Sequence, residues 1–516
     1  MKTLFKHSLL PALAFSILVA CDPKVDAPTP TLDGQIDLTN YVAIGNSITA
    51  GFASNGLYLE GQKVAYPVLM AQQFKLAGGG DFVAPLFSQD QAAGTGYLRL
   101  LGFSGGAPLL VPVPGSPNAV LRTGDSLARN ASLNPSGLVL KPFEGAKINN
   151  WGVPGIRIAD IETPGYAFPN TYFGRLVPEA EKLKPYATKV IEQNPTFFSC
   201  WLGNNDVLGY STAGGYVDLG NITSPALFTQ KYTNLINNLT ALGTKPKGVL
   251  ANIPDVTSLP FFTTLTPAVK SGMSALNVPN LYEFKFDSIF QNTLLPILTS
   301  PDPTVVILNQ AKVITLPVTR LGSLGVTGKI EGDIFLTLTF STYAGLLGRP
   351  GGKVWNDVIN ILLDRFVLPP PFNAFPKEVL RAAVWAKAGI DTTKPFGIHP
   401  LNPIPDIFVL NQNETARAKN TVQIYNQIIK SLANSKGLAY VDANSFLSGI
   451  TRGAYFDAIS ANSSFISGGA FSLDGVHLTP RGNAMAANEF IKAINLKYGT
   501  KITVLNVGQY KGVTFP

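Results

Sequence analysis

The chain has 516 residues, 46% of them hydrophobic and only 14% charged, so it can bury a large core. Its 40 Lys and Arg against 32 Asp and Glu give a mild positive excess with no basic run interleaved with aromatics. That excludes a nucleic-acid surface and leaves at most a weak attraction to anionic lipid or polysaccharide. With His7 in an expected signal and Cys21 expected to be modified, two histidines and one cysteine remain, too few for a Cys/His zinc site, and there is no phosphate loop, no Gly-x-Gly-x-x-Gly after a strand and no His-Glu-x-x-His. No metal or cofactor is expected.

Residues 1–20 read as a signal peptide rather than fold. Lys2 and Lys6 make a basic start, and Leu9 to Ala20 is an apolar run too short to span a bilayer. Leu18-Val19-Ala20-Cys21 resembles the bacterial lipobox. That resemblance implies cleavage before Cys21, lipidation of its thiol and attachment to a membrane of the cell envelope, with the outer membrane expected. Residues 21–38, polar and Pro-rich, read as a tether. Cys200 lies in an apolar run and reads as a buried small hydrophobe, so no internal disulfide is expected.

The folded domain is expected over 39–498, followed by a tail over 499–516. Apolar runs that end in Gly/Asn-rich turns and lead into helical patterns are the grammar of a parallel sheet. The runs are Tyr41–Ile44, Ala146–Asn150, Thr196–Leu202, Gly248–Ile253 and Gly437–Val441. The helical patterns cover Tyr66–Leu76, a short piece from Ile158, Pro225–Leu242, about Glu414–Asn434, and Pro480 to about Lys497. Two stretches, about 78–144 and 257–412, are too long for structureless loops and read as ordered insertions. The second holds an alternating strand over Asp333–Phe340 and an amphipathic helix over Lys353–Phe366. Both its ends join turns at the carboxyl ends of strands, so it is expected to cap the site.

Open α/β sheets bind ligands beyond the carboxyl ends of their strands. The turns there carry Ser47, Trp151-Gly152, the pair Asn204-Asn205 and, far downstream, Asp474-Gly475-Val476-His477. His477 and His399 are the only histidines outside the signal, and only His477 has a carboxylate three residues before it. An i, i+3 pair on one helical turn shares a face, so Asp474 can orient an imidazole that serves as base for Ser47. Backbone N–H groups at Ser47 and Gly152 and the side-chain amide of Asn205 would supply donors to an oxyanion, Gly152 for want of a side chain. Asp206 reads as a helix cap or loop anchor, and His399 as a loop or core residue.

These turns, in this order, resemble the SGNH hydrolases, also called the GDSL esterase/lipase family. The matching blocks are Gly45-Asn46-Ser47 with Gly51, Asn150-Trp151-Gly152-Val153-Pro154-Gly155, Gly203-Asn204-Asn205-Asp206 and Asp474-Gly475-Val476-His477. The resemblance covers about half of the mature chain and neither insertion. It implies a three-layer αβα, flavodoxin-like fold with a five-stranded, mostly parallel sheet in the order 2-1-3-4-5. It implies Ser47 as nucleophile and oxyanion donor, Gly152 and Asn205 as the other donors, and His477 as base held by Asp474. Where the family has an aspartate, this chain has Asn46, which keeps shape and an acceptor but loses the charge. The expected activity is hydrolysis of carboxylic esters, either lipid or O-acylated and O-acetylated glycan. The alternative is a non-catalytic surface lipoprotein that binds glycan or lipid on a relic core; Asn46 favours it, and the intact Ser47, Asp474 and His477 oppose it.

Overall fold

The computed structural model describes residues 36–104, 107–121, 139–145, 147–216, 220–275, 277–278, 280–287, 325–365 and 388–515. The signal peptide, Cys21, most of the tether and Pro369-Pro370-Pro371 lie outside the described residues. In chain order, the elements that matter for the site begin with β1 (Tyr41–Gly45), α1 (Ser47–Ala50), α2 (Tyr66–Leu76), β2 (Gly96–Ser104), β3 (Ala107–Pro114), β4 (Asn150–Gly152) and β5 (Phe197–Trp201). There follow α3 (Asn205–Thr212), α4 (Pro225–Thr240), β6 (Lys247–Ala251), β7 (Tyr282–Phe286), α5 (Lys353–Arg365), β8 (Ile404–Pro405), α6 (Gln412–Ser435), β9 (Ala439–Val441) and α7 (Pro480–Tyr498).

The five expected apolar runs pair as one parallel sheet in the order β9-β6-β5-β1-β4. Counted along the chain, that is 2-1-3-4-5. Every residue of β1 and β5 is buried, because helices cover both faces and neither face can be polar. On one face Tyr41 meets Phe74 of α2 edge-on, and Trp201 packs between Tyr66 of α2 and Phe490 of α7. On the other face Cys200 lies under Tyr232 of α4, and Phe228 stacks on Tyr425 of α6 at 3.8 Å. The result is an α/β fold compatible with three layers. Burial pushes the Cys200 thiol up to about 12, so this cysteine serves packing.

Three expectations need correction. The strand expected over Ala146–Asn150 is instead β4, Asn150–Gly152, with Ala43 opposite Asn150 and Gly45 opposite Gly152. The two asparagines expected at the end of that run are buried partners of backbone: Asn149 Nδ2 donates to the Tyr41 carbonyl at 2.8 Å, and Asn150 Nδ2 to that of Thr49 at 2.8 Å. Within Asp333–Phe340 only Phe335–Leu336 is strand; a 3₁₀ turn over Leu338–Thr342 follows, and the burial of Leu336 and Phe340 accounts for the alternation. The segment expected as a tail folds back on α7: Ile502, Leu505 and Val507 are buried, and the Leu505 N–H donates to Asn488 Oδ1 at 2.7 Å.

The first insertion supplies the β2–β3 hairpin. The described part of the second builds its own core, in which Trp355 of α5 packs on Phe284 and Phe286 of β7. The start of the same insertion packs into the main core and reaches the loop carrying Asp474, where the Phe261 N–H donates to the Gly475 carbonyl at 3.0 Å.

Three carboxylates sit where the second core meets the start of α6. Asn411 caps α6 and exchanges hydrogen bonds with Glu414 in a capping box. Glu283 and Asp406 are buried beside it, each with one carboxyl oxygen that has no hydrogen-bond partner among the described residues. Burial, reinforced by its acidic neighbour, pushes Glu414 up to about 7 from an ordinary 4.5, and burial also raises Glu283 and Asp406. The fold therefore binds the Glu414 proton more tightly than the unfolded chain does. The stability this contributes is fully present below pH 4.5 and is lost as pH rises through about 7. At about 1.4 kcal/mol per pKa unit the loss is at most roughly 3.5 kcal/mol. Urea midpoints should fall between pH 4.5 and 7, and Glu414→Gln, which preserves the cap, should flatten that slope; a slope unchanged in the variant would contradict this origin.

Candidate active site

The site is assembled at the carboxyl end of the sheet from two ends of the chain. β1 stops at Gly45, and Asn46 caps α1 by accepting the Ile48 N–H on Oδ1 at 3.1 Å. Ser47 is thus the first residue of α1, where no preceding turn can take its N–H. Gly51, at φ +82°, ends the helix after one turn.

His477 Nε2 lies 2.8 Å from Ser47 Oγ, a pair 430 residues apart, and His477 Nδ1 lies 2.9 Å from Asp474 Oδ2. The expected i, i+3 contact is present, but on a turn and not on a helix. Gly475 takes a left-handed φ of +70°, and Asp474 Oδ1 accepts the Val476 and His477 N–H groups at 2.9 and 2.8 Å. Asp474 Oδ2 also accepts the Asn55 N–H at 2.9 Å, and Ser472 Oγ donates to Oδ1 at 3.1 Å. Burial pushes the Asp474 carboxyl up, but the His477 imidazole and these hydrogen bonds outweigh it and hold it well below the usual carboxylate range. The Ser54 N–H in turn donates to Ser472 Oγ at 2.8 Å, so Ser472 ties the acid loop to the serine side. Phe52 closes one flank with its ring 4.8 Å from the imidazole.

Two of the three expected oxyanion donors are available. Ser47 offers its backbone N–H. Asn205, first residue of α3, gives one side-chain N–H to the Ile156 carbonyl at 3.0 Å and keeps the other. Asp206 fastens the same loop by accepting the Ile158 N–H at 2.7 Å, and burial raises its pKa to about 6. It is the loop anchor expected.

Gly152 must be corrected as a donor: its N–H donates to Asn150 Oδ1 at 2.9 Å. Its missing side chain makes room for α1 and not for an acyl group, since a Cβ there would lie 2.2 Å from the Ala50 nitrogen. Gly155, three residues on, has φ +81° and an N–H with no hydrogen-bond partner among the described residues. It directly precedes Ile156, whose carbonyl holds Asn205. The sequence reading missed it; the signal was a second glycine just after Pro154, where the chain must turn out of β4.

His399 does not join the site: its Nδ1 accepts the Leu401 N–H at 3.1 Å within its own turn. Beside α1 and β4 is a small cavity lined by Ala50, Leu57, Gly152, Pro154, Tyr172 and Arg175. The buried Arg175 guanidinium donates to the carbonyls of Pro85 and Leu86 at 2.8 and 3.1 Å. Among the described residues no group of three His, Cys, Asp or Glu side chains is placed to hold a metal ion.

Asn46 is buried, with Oδ1 in the cap and Nδ2 without a hydrogen-bond partner among the described residues. Aspartate at this position keeps the capping oxygen. Asn46→Asp should therefore fold normally and change kcat/KM on a chromogenic ester by less than about tenfold, or about 1.4 kcal/mol. A much larger gain would mark the natural residue as an attenuator.

No protein-family model matches the chain, and searches of curated proteins and of solved structures give no match.

Proposed function

We propose that the protein is a serine ester hydrolase of the SGNH type, acting outside the cytoplasm and attached to a bacterial envelope membrane through lipid on Cys21. The observation that carries the reading is the continuous hydrogen-bonded chain Ser47 Oγ–His477 Nε2–His477 Nδ1–Asp474 Oδ2 at the carboxyl end of a parallel sheet. His477 removes the Ser47 proton as Oγ attacks the ester carbonyl, and Asp474 stabilises the imidazolium that forms. The oxygen that gains charge is met by the N–H groups of Ser47, Gly155 and Asn205. The imidazolium then protonates the departing alcohol, and water, activated by the same imidazole, releases the acid from Ser47. Asn46, the residue that favours a binding-only protein, still caps α1, so the departure from the family pattern leaves the nucleophile in place.

No helix among the described residues is long and apolar enough to cross a membrane. The lipid on Cys21 is then the attachment in this reading, and the outer membrane the preferred site. The substrate is a lipid ester or an O-acyl or O-acetyl glycan. A series of chromogenic esters of increasing acyl length, run beside acetylated glycans, tests the proposal. Turnover abolished by substitution of Ser47 is the expected result; no turnover of any ester would move the protein to the binding class.

A further inference from the structure

The β2–β3 hairpin is rooted at the site and apolar at its far end. At the root the Leu98 N–H donates to the Ser54 carbonyl at 2.7 Å, and Leu100 is buried against Ile466 and Leu473, the residue before Asp474. Tyr97 stacks on Tyr58 at 4.3 Å. Beyond Leu100 the register slips by one residue, so that Gly102 rather than Leu101 faces Leu109. From there Leu101, Phe103 and Leu109 stand 45%, 54% and 48% exposed, and Phe515 (53%) stacks against Phe103. Large apolar side chains clustered at this exposure mark a contact surface.

We propose that this hairpin is a lipid-contacting arm that seats the site against a bilayer surface. The arm's purpose rests on the ester-hydrolase reading: it would bring Ser47 to esters carried in the membrane. Three features choose lipid over a protein strand. Pro108, Pro112 and Pro114 remove backbone donors from β3, so that strand makes a poor template for another strand. Arg99 is the only charged residue from Gly96 to Pro114, and an exposed cation without acids suits an anionic headgroup layer. The tether is long enough. Ile36, the first described residue, lies 15 residues after Cys21, and that length fully extended reaches about 50 Å. A lipid there can stay in the bilayer while the opposite, carboxyl end of the sheet turns toward it. Unpaired backbone edges keep the arm at the headgroup level, with Leu and Phe side chains alone reaching the acyl boundary.

The test uses the full chain reconstituted in phosphatidylglycerol-containing vesicles whose acyl chains are brominated. Tryptophan is placed at the arm (Phe103→Trp) or at Leu496 (Leu496→Trp), which is 89% exposed near the end of α7 away from the site. Bromolipid should quench the fluorescence of Phe103→Trp and leave that of Leu496→Trp unchanged. The triple variant Leu101→Ser, Phe103→Ser, Leu109→Ser should lose roughly tenfold or more in hydrolysis of a vesicle-borne ester while keeping its rate on a soluble acetate ester. Absence of quenching at position 103, or equal quenching at both positions, overturns the arm. Quenching at 103 without turnover of any ester would leave the arm standing and remove the hydrolase reading, so the two fail separately.

Discussion

Ser47→Ala abolishes ester hydrolysis, and a fluorophosphonate probe labels the natural chain at Ser47 alone: this is the largest effect expected. The hydroxyl lies 2.8 Å from a base that is itself held at 2.9 Å by a carboxylate, and the first N–H of α1 faces the same point. Because the members of such a chain act as one unit, removing the nucleophile should cost on the order of 10⁴-fold or more in kcat, with KM little changed. Mass mapping of the labelled peptide checks the assignment. Label on another serine, or turnover that survives the substitution, would refute it.

Replacing the base should be nearly as severe. His477→Ala is expected to lose a few orders of magnitude in kcat/KM, whereas His399→Ala stays within about tenfold. The contrast follows from their partners. His477 bridges Ser47 and Asp474, while His399 accepts one backbone N–H in a turn of the second core. An essential His399 and a dispensable His477 would invert the site. The acid is equally committed. Asp474 is held well below the usual carboxylate range, so its stabilising ionisation is complete above about pH 4 and is lost only on strong acidification. It therefore does not offset the decline expected from Glu414 between pH 4.5 and 7.

Much of this was legible in the residues. Tyr41–Gly45, Phe197–Trp201 and Lys247–Ala251 are strands covered on both faces, and continuous apolar runs announce such strands. The Asp474–His477 pairing followed from spacing alone, although a turn with a left-handed glycine realises it instead of a helix. β4 was displaced because Trp151 and Gly152 read as the turn after the strand, whereas Asn150–Gly152 is the segment that pairs with β1. The same displacement drew the expected oxyanion role to Gly152, whose N–H is taken by Asn150 Oδ1, since a residue inside a strand was taken for one beyond its end. Ser472 left no signal, because its value lies in linking Ser54 to Asp474 across the fold. The hairpin was hidden by three prolines in β3, which lower the strand signal without preventing pairing at an edge.

The seam between α2 and α7 carries a further consequence, for biogenesis. The Tyr66 N–H donates to Asn483 Oδ1 at 3.1 Å, and Tyr66 stacks on Phe490, so the first quarter of the domain is completed by its last helix. Asp474 and His477 arrive on the loop just before that helix. A chain emerging from synthesis or translocation with its amino end first would thus hold Ser47 for more than 400 residues without its base. On the ester-hydrolase reading, reactivity would switch on only when the carboxyl-terminal segment docks, and a truncated or stalled product would be chemically silent toward esters.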